Sequence, residues 1–250
     1  MVMNKELYLS IIIPAYNEEE NLDSTVHNIV DIFDKNNVSF ELIIVDNGST
    51  DNSFAVIHKL KEEIPEVKSI KIYPNIGYGN GVIQGLKIAR GGILGFIPAD
   101  GQIKAEDVLK IYLKVKESDI DICKGTRVVR NDNFTRKLIS FTYNSIFKLM
   151  FHCPYRDINS PPKIFKRDFY KTANLKSKDW FLDAEIMLKA YWGKYKVEEV
   201  PVVFLPRKNG WSKVHFVTLL EFFKNMIYWF LVRLGAILNH NFIYKLCLII

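Results

Sequence analysis

The 250-residue chain is 48% apolar and 25% charged, with a net charge of +6; this balance excludes a disordered protein and supplies the core of one large α/β domain, or one domain with an appendage. Its three cysteines, Cys123, Cys153 and Cys247, are odd in number, far apart and outside any CxxC, which excludes a disulfide framework or zinc ribbon and suits a reducing cytosol. Between Pro201 and Ile250 six basic residues (Arg207, Lys208, Lys213, Lys224, Arg233, Lys245) face one acid, Glu221, and a basic, apolar tail points to an anionic membrane surface or an anionic substrate rather than nucleic acid.

The amino-terminal MVMNKELYLSIII lacks signal-peptide architecture, since its apolar run is short and enters a turn at Pro14. Short β-branched or aromatic runs bounded by Pro, Asn or Gly predict strands at 7–13, 40–45, 67–73 and 93–97. Between them, apolar residues at 3–4-residue spacing predict helices over 18–35, 51–64, 78–89 and 105–117, the second opened by the capping residues STDNS. Less regular strands follow at 120–124, 163–165 and 196–203, with helices over 134–151 and 181–192. The alternation predicts a mainly parallel, Rossmann-like central sheet with helices on both faces. From Val214 the pattern changes. Phe216, Leu219, Leu220, Phe223, Ile227, Phe230 and Leu234 share one helical face, and Glu221, Lys224, Asn225 and Tyr228 lie on another. No uncharged apolar stretch reaches the ~20 residues of a spanning helix. The tail reads as an amphipathic helix lying in a membrane interface. The alternative is a helix packed on the domain or on a second subunit.

Open α/β sheets bind ligands at the carboxyl ends of their strands. Five successive strand ends carry polar or glycine-rich turns: PAYNE (14–18), DNGSTD (46–51), NIGYGNG (75–81), PADGQ (98–102) and GTR (125–127). Each alone is a weak signal, because glycine in a turn or Asp before a helix is commonplace. Their order is not. GYGNG imitates a dinucleotide fingerprint but follows the third strand instead of the first, so a nicotinamide reading fails on placement.

With these residues the chain resembles the family 2 glycosyltransferases of GT-A fold, in the polyprenyl-phosphate (dolichyl-phosphate mannose synthase-like) branch. SIIIPAYNEEENL, IIVDNGSTDNS, NIGYGNGVIQGLKIARG, PADGQ, GTR, DINSPPKIFKRD and RKNGWSK carry the resemblance, which runs from Leu7 to Lys213. It implies a GT-A domain over 1–213, a helical tail over 214–250, and inverting transfer from a nucleotide-diphosphate sugar to a polyprenyl phosphate at the cytoplasmic face of a membrane. The protein would be peripheral or anchored through its carboxyl terminus, with the tail also open to oligomer formation.

The same resemblance implies the site. Pro14, Ala15, Tyr16, Glu18, Asp46, Asn75 and Gly79, with Gly81, would cradle the nucleotide-sugar, Asn47 standing where a second acid is common. Asp100 and Gln102 would hold Mg²⁺ or Mn²⁺, since hard cations prefer oxygen ligands. The family's usual first acid is replaced by Pro98. Arg127, Ser160, Lys163, Arg207, Ser212 and Lys213 would bind phosphate on the acceptor side, beside Asp157, although the family's S-G-F-R reads S-P-P-K here. Trp180, Phe181, Asp183 and Glu185 resemble a segment lining the acceptor region. Asp100, Arg127 and Arg207 are the catalytic candidates. A polyprenyl phosphate is already ionised, so its attack needs no general base. Two alternatives stay open: transfer to a hydroxyl of a glycan or lipid, and a non-catalytic nucleotide-sugar-binding module in which Pro98 marks a decayed metal site. No nucleic-acid-binding motif is present.

Overall fold

The computed structural model describes residues 8–130, 134–207 and 216–238. In chain order its elements are β1 (Leu9–Ala15), α1 (Leu22–Lys35), β2 (Phe40–Asp46), α2 (Ser53–Glu63), β3 (Val67–Lys71), α3 (Tyr78–Ile88), β4 (Ile93–Phe96), α4 (Ala105–Glu117), β5 (Ile122–Arg130), α5 (Phe134–Phe151), β6 (Lys163–Lys166), α6 (Arg167–Ala173), α7 (Leu182–Trp192), β7 (Val197–Phe204) and α8 (Phe216–Leu238). The strands form one seven-stranded sheet in the order β3-β2-β1-β4-β6-β5-β7. Only β6 runs antiparallel to its neighbours, β4 and β5; the other pairings are parallel.

Every residue of β1 and β2 is buried, as their unbroken apolar runs require of strands covered on both faces. Alternate side chains serve different cores. Leu9, Ile11 and Ile13 of β1 pack with α1, α2 and α4, whereas Ile12 packs with α3, α5, α7 and α8. Helix α6 is absent from the apolar pattern because its seven residues are too few to show a period.

Two readings are corrected. GTR does not follow the fifth strand; it lies inside β5, where Gly125, Thr126 and Arg127 pair with Val200, Pro201 and Val202 of β7. Gly125 marks a close backbone approach instead of a strand end, since a Cβ there would fall 2.5 Å from the Pro161 carbonyl oxygen. The tail helix exists but packs through another face. Met226 and Trp229 are buried, with Phe222 and Phe230 packed beside them, while Leu220, Phe223 and Ile227 stay exposed. α8 is therefore apolar on two sides: aromatic bulk on one side fills the groove beside α5 and α7, and the expected stripe points partly outward. No helix among the described residues is long and apolar enough to cross a membrane.

At the amino-terminal edge of the sheet, fully buried Glu41 accepts hydrogen bonds from Ser10 Oγ (2.6 Å) and the Arg90 N–H (2.6 Å) and pairs with Lys68. Burial pushes its carboxyl up, but the bonds from Lys68, Ser10 and Arg90 outweigh it and leave the folded value lowered. The resulting stabilisation is present above the ordinary carboxyl value and is lost as pH falls through the lowered one. Glu41→Gln is expected to cost about 2 kcal/mol in urea unfolding at pH 7, the size of charged hydrogen bonds left unmade, and to shrink that difference towards pH 3.

Candidate active site

The carboxyl edges of β1, β2 and β3 are stitched together by their own turns. Ala15 pairs with Asp46 across the sheet. Asn17 accepts the Thr50 N–H at 2.8 Å, and Ser53 Oγ accepts the Glu18 N–H at 2.8 Å. Asn47 Nδ2 donates to Asn75 Oδ1 (3.1 Å) and to the Gly77 carbonyl (3.0 Å). Pro14 and Gly81 close the space beside Asn47, and Tyr16 stands half-exposed at the rim.

Within this frame two buried oxygens are unsatisfied. Asp46 is 1% exposed. Its Oδ1 accepts the Ser49 N–H at 2.8 Å, while Oδ2 has no hydrogen-bond partner among the described residues and the Lys71 ammonium stands 3.9 Å away. Asn47 Oδ1 is likewise buried and unpartnered. Buried acceptors are nearly always paired, so two lone ones on successive residues at a strand end suit a ligand that brings hydrogen-bond donors.

The close approach that Gly79 permits is not to this space. A Cβ there would meet the Ser177 carbonyl at 2.4 Å and the Asp179 carbonyl at 2.6 Å, and one on Gly77 (φ +125°) would meet the Lys178 carbonyl at 2.4 Å. These glycines admit the α6–α7 segment. Between them, Tyr78 stacks on Trp180 (4.6 Å, 9°). Burial pushes its phenol well up, and Asp183 and Asp100 add to the shift. The sequence signal for Tyr78 was only an aromatic residue flanked by glycines.

Asp100 lies in the turn after β4. Its Oδ1 accepts the Gln102 N–H at 3.1 Å, and Oδ2 lies 4.0 Å from Arg207 Nη1. Arg207 also binds Glu18, whose Oε2 accepts from Asn21 Nδ2 at 2.9 Å. One guanidinium from the carboxyl-terminal part of the chain thus stands between the carboxylates of the β1–α1 turn and of the turn after β4. Thr25 of α1 steadies the turn by donating to the Ala99 carbonyl at 3.1 Å. Burial pushes the Asp100 carboxyl up; the Gln102 N–H and Arg207 oppose this and Glu18 reinforces it. Gln102 Nε2 donates to the Leu205 carbonyl at 2.8 Å. No cluster of three or more His, Cys, Asp or Glu suited to a metal occurs among the described residues. The oxygen donors of Asp100 and Gln102 still fit a hard divalent ion that draws its remaining ligands from phosphate and water, and an acid pushed up beside a second acid is a place where added positive charge is favourable.

On the other side of the sheet, Arg127 is held in a fork by Asp157, Nε–Oδ2 2.7 Å and Nη2–Oδ1 2.5 Å, and lies over the Phe204 ring. Arg127, Ser140, Asn144, Lys148, Arg156 and Asp157 line a cavity of about 470 Å³. Buried Lys124, missed in the sequence because it sits inside a strand, fixes this wall: it donates to Glu199 (2.9 Å) and to the Arg156 carbonyl (2.7 Å). Ser160 and Lys163 are both fully buried. The Lys163 ammonium does not face the cavity but binds Asp183 and the Ser160 carbonyl (3.0 Å). Burial pulls it down, against the pull of Asp183. Glu185, also buried, takes the N–H groups of Lys176 and Ser177. Ser212 and Lys213 lie outside the described residues.

Polar turns at the carboxyl edge of a mainly parallel sheet mark the ligand edge of α/β folds in general, and comparison with known proteins supplies the class. Glycosyl transferase family 2 matches residues 10–179, and the chain belongs to that family. It is 31% identical over 227 residues to a dolichol-phosphate mannosyltransferase of Pyrococcus furiosus (87% of this chain, 62% of the relative). It is 26% identical over 215 residues to a dolichyl-phosphate beta-glucosyltransferase of Dictyostelium discoideum (78% and 66%). The chain thus spans under two thirds of the length of these relatives. Among solved structures it resembles the glucosyl-3-phosphoglycerate synthase of Mycobacterium tuberculosis, in complex with UDP (TM-score 0.70, 16% identity, 91% of this chain and 80% of that one) and with Mn²⁺, UDP-glucose and phosphoglyceric acid (TM-score 0.69, 16% identity, 91% and 80%). That likeness shows the GT-A fold.

Two outcomes follow from the geometry. Asp46→Asn is expected to leave the thermal midpoint little changed, since the amide keeps an oxygen for the Ser49 N–H, while weakening nucleoside diphosphate binding about tenfold in calorimetric titration. Lys163→Met is expected to destabilise the fold by about 3–5 kcal/mol in chemical unfolding, because Asp183 is left buried without a counter-ion, and Lys163→Met/Asp183→Asn should recover part of the loss.

Proposed function

We propose that the protein transfers a sugar from a nucleotide-diphosphate sugar to a polyprenyl phosphate, with inversion, at the cytoplasmic face of a membrane. The observation that carries this reading is an open depression lined by Arg127, Lys148 and Arg156 beside a helix that exposes apolar side chains. The cavity of Arg127, Lys148 and Arg156 opens beside α5, whose Phe141 and Leu149 are 71% and 76% exposed. Leu220, Phe223 and Ile227 of α8, which packs on α5 through Tyr143 and Phe222, are exposed as well. An anionic head joined to a hydrocarbon tail satisfies both features at once. The names of the two relatives, which pair dolichyl phosphate with a hexosyl group, support the same acceptor class.

On the donor side, Asp46 Oδ2 and Asn47 Oδ1 accept N–H groups of the base. Pro14, Ala15, Tyr16 and Asn75 shape the cradle. Asp100 and Gln102 would hold Mg²⁺ or Mn²⁺, which when bound offsets the charge of the leaving diphosphate. Arg207 is kept near Asp100 by Glu18 and supplies positive charge on the same side. On the acceptor side, Arg127 is oriented by Asp157 and draws the lipid phosphate in; that phosphate is ionised and needs no base. Its oxygen forms a bond to the anomeric carbon as the bond from that carbon to the diphosphate breaks on the opposite face. Lys163, Asp183, Lys124 and Glu199 hold the walls. A helix that is apolar on two sides serves a peripheral mode of attachment, with one side on the protein and the other in the lipid interface.

The test is transfer of label from UDP- and GDP-sugars to polyprenyl phosphate in detergent. Label is expected in the lipid phase with Mn²⁺ or Mg²⁺, with at least about a 100-fold loss in EDTA or in Asp100→Ala, the scale of one strong electrostatic contact at the transition state. Label in a glycan or lipid hydroxyl instead would reassign the acceptor. Donor binding with no transfer to any acceptor would leave a binding module.

A further inference from the structure

The segment between α6 and α7 lies against the loop that opens α3. Gly77 and Gly79 make room for the carbonyls of Ser177, Lys178 and Asp179. The Asn80 N–H donates to the Lys178 carbonyl at 2.8 Å, and Trp180 stacks on Tyr78. One end of the segment is fixed from α7: buried Glu185 accepts the N–H groups of Lys176 (2.9 Å) and Ser177 (2.6 Å) and pairs with Lys189. The other end is held from a different helix. Asp179 Oδ1 accepts the Phe181 N–H at 2.8 Å, and Oδ2 accepts Asn225 Nδ2 of α8 at 2.7 Å. Asn225 directly precedes Met226, one of the residues that bury α8 against the domain.

We infer that Asn225 and Asp179 are positioning residues that tie α8 to the wall of the nucleotide site, so that the seating of α8 sets donor affinity. The inference rests on reading the β1–β2–β3 edge as that site. The contacts run without a gap. Asn225 holds Asp179, the segment at 177–179 abuts Gly77 and Gly79, and the Gly77 carbonyl receives Asn47 Nδ2 at 3.0 Å. Asn47 presents one of the two unpartnered oxygens. The link is one hydrogen bond from a neutral amide to a carboxylate, a type stronger than a neutral pair. Asp179 is part of the segment that abuts Gly77 and Gly79, and Asn225 acts through it. Lipid gathered on the exposed Leu220, Phe223 and Ile227 side of α8 would thereby bear on the donor site.

A reciprocal exchange separates this role from a merely structural one. Asn225→Asp sets two carboxylates face to face. In Asp179→Asn/Asn225→Asp the amide donates from position 179, the carboxylate accepts at position 225, and the remaining oxygen at 179 still receives the Phe181 N–H. UDP and GDP are titrated into the full chain by tryptophan fluorescence, with circular dichroism melts in parallel. Asn225→Asp is expected to weaken binding about tenfold and the double variant to return within about threefold of wild type, the scale of one charged hydrogen bond. Should Asn225→Asp fail to fold, Asn225→Ala carries the test, with about a threefold loss expected. Wild-type binding in the single variants, or a double variant as weak as Asn225→Asp, overturns the inference. Binding lost in Asp46→Asn but indifferent to both Asn225 variants overturns it alone and spares the nucleotide site. Binding of neither nucleotide by the wild type overturns both.

Discussion

A strand buried on both faces can be polar only at its ends, and β1 and β2 obey that rule in opposite ways at their two edges. At the amino-terminal edge Glu41 is fully buried, yet Ser10, Arg90 and Lys68 satisfy it. At the carboxyl edge Asp46 and Asn47 are as deeply buried, and each keeps an oxygen without a hydrogen bond among the described residues. The same sheet thus holds a polar cluster that stabilises the fold next to one that taxes it. Unpaired buried oxygens cost free energy, and the cost is relieved when a hydrogen-bond donor occupies the edge. Satisfied and unsatisfied polar groups are thus segregated to the two ends of the same strands.

The charges follow a similar logic. Acidic side chains gather around the turn after β4, where Asp100 and Glu18 share Arg207. Basic ones gather around Arg127, Lys148 and Arg156. A diphosphate and an acceptor phosphate repel each other, so a site for both needs positive charge distributed between them. Glu18 also bears on the absence of an acid at Pro98: it approaches the same region from the β1–α1 turn, where no D-x-D spacing would reveal it. The buried pair Lys163–Asp183 and the half-buried pair Lys124–Glu199 stand behind these surfaces. Buried pairs contribute little net stability; what they supply here is a fixed wall.

Much of this was legible in the sequence, and the failures share a cause. The strands of the parallel half and the turns that follow them could be read because a parallel sheet forces its polar residues to the ends. The GTR motif misled because glycine punctuates turns in most contexts, whereas Gly125 makes room for the Pro161 carbonyl inside a strand. Lys163 resembled a phosphate ligand by motif, yet its ammonium turns inward to Asp183, a partner twenty residues away that no local pattern specifies. Gly79 was read toward the nucleotide and faces the α6–α7 segment. In each case the residue type was read correctly, and the identity of its long-range neighbour decided what it does.

The tail helix shows the same limit most sharply. Its apolar residues were counted as a single stripe, with Asn225 on the polar side. Packing chose otherwise, because Met226 and Trp229 fit the groove beside α5 and α7 and carry Asn225 with them towards Asp179. A helix with one apolar face must choose between protein and lipid. One that is apolar on two sides can serve both, and its orientation is then set by its polar contacts. On α8 those are Asn225 to Asp179 and Arg233 to the Phe151 carbonyl at 2.7 Å. The few polar residues of an apolar helix thus fix its rotation, and so decide which hydrophobic residues remain exposed.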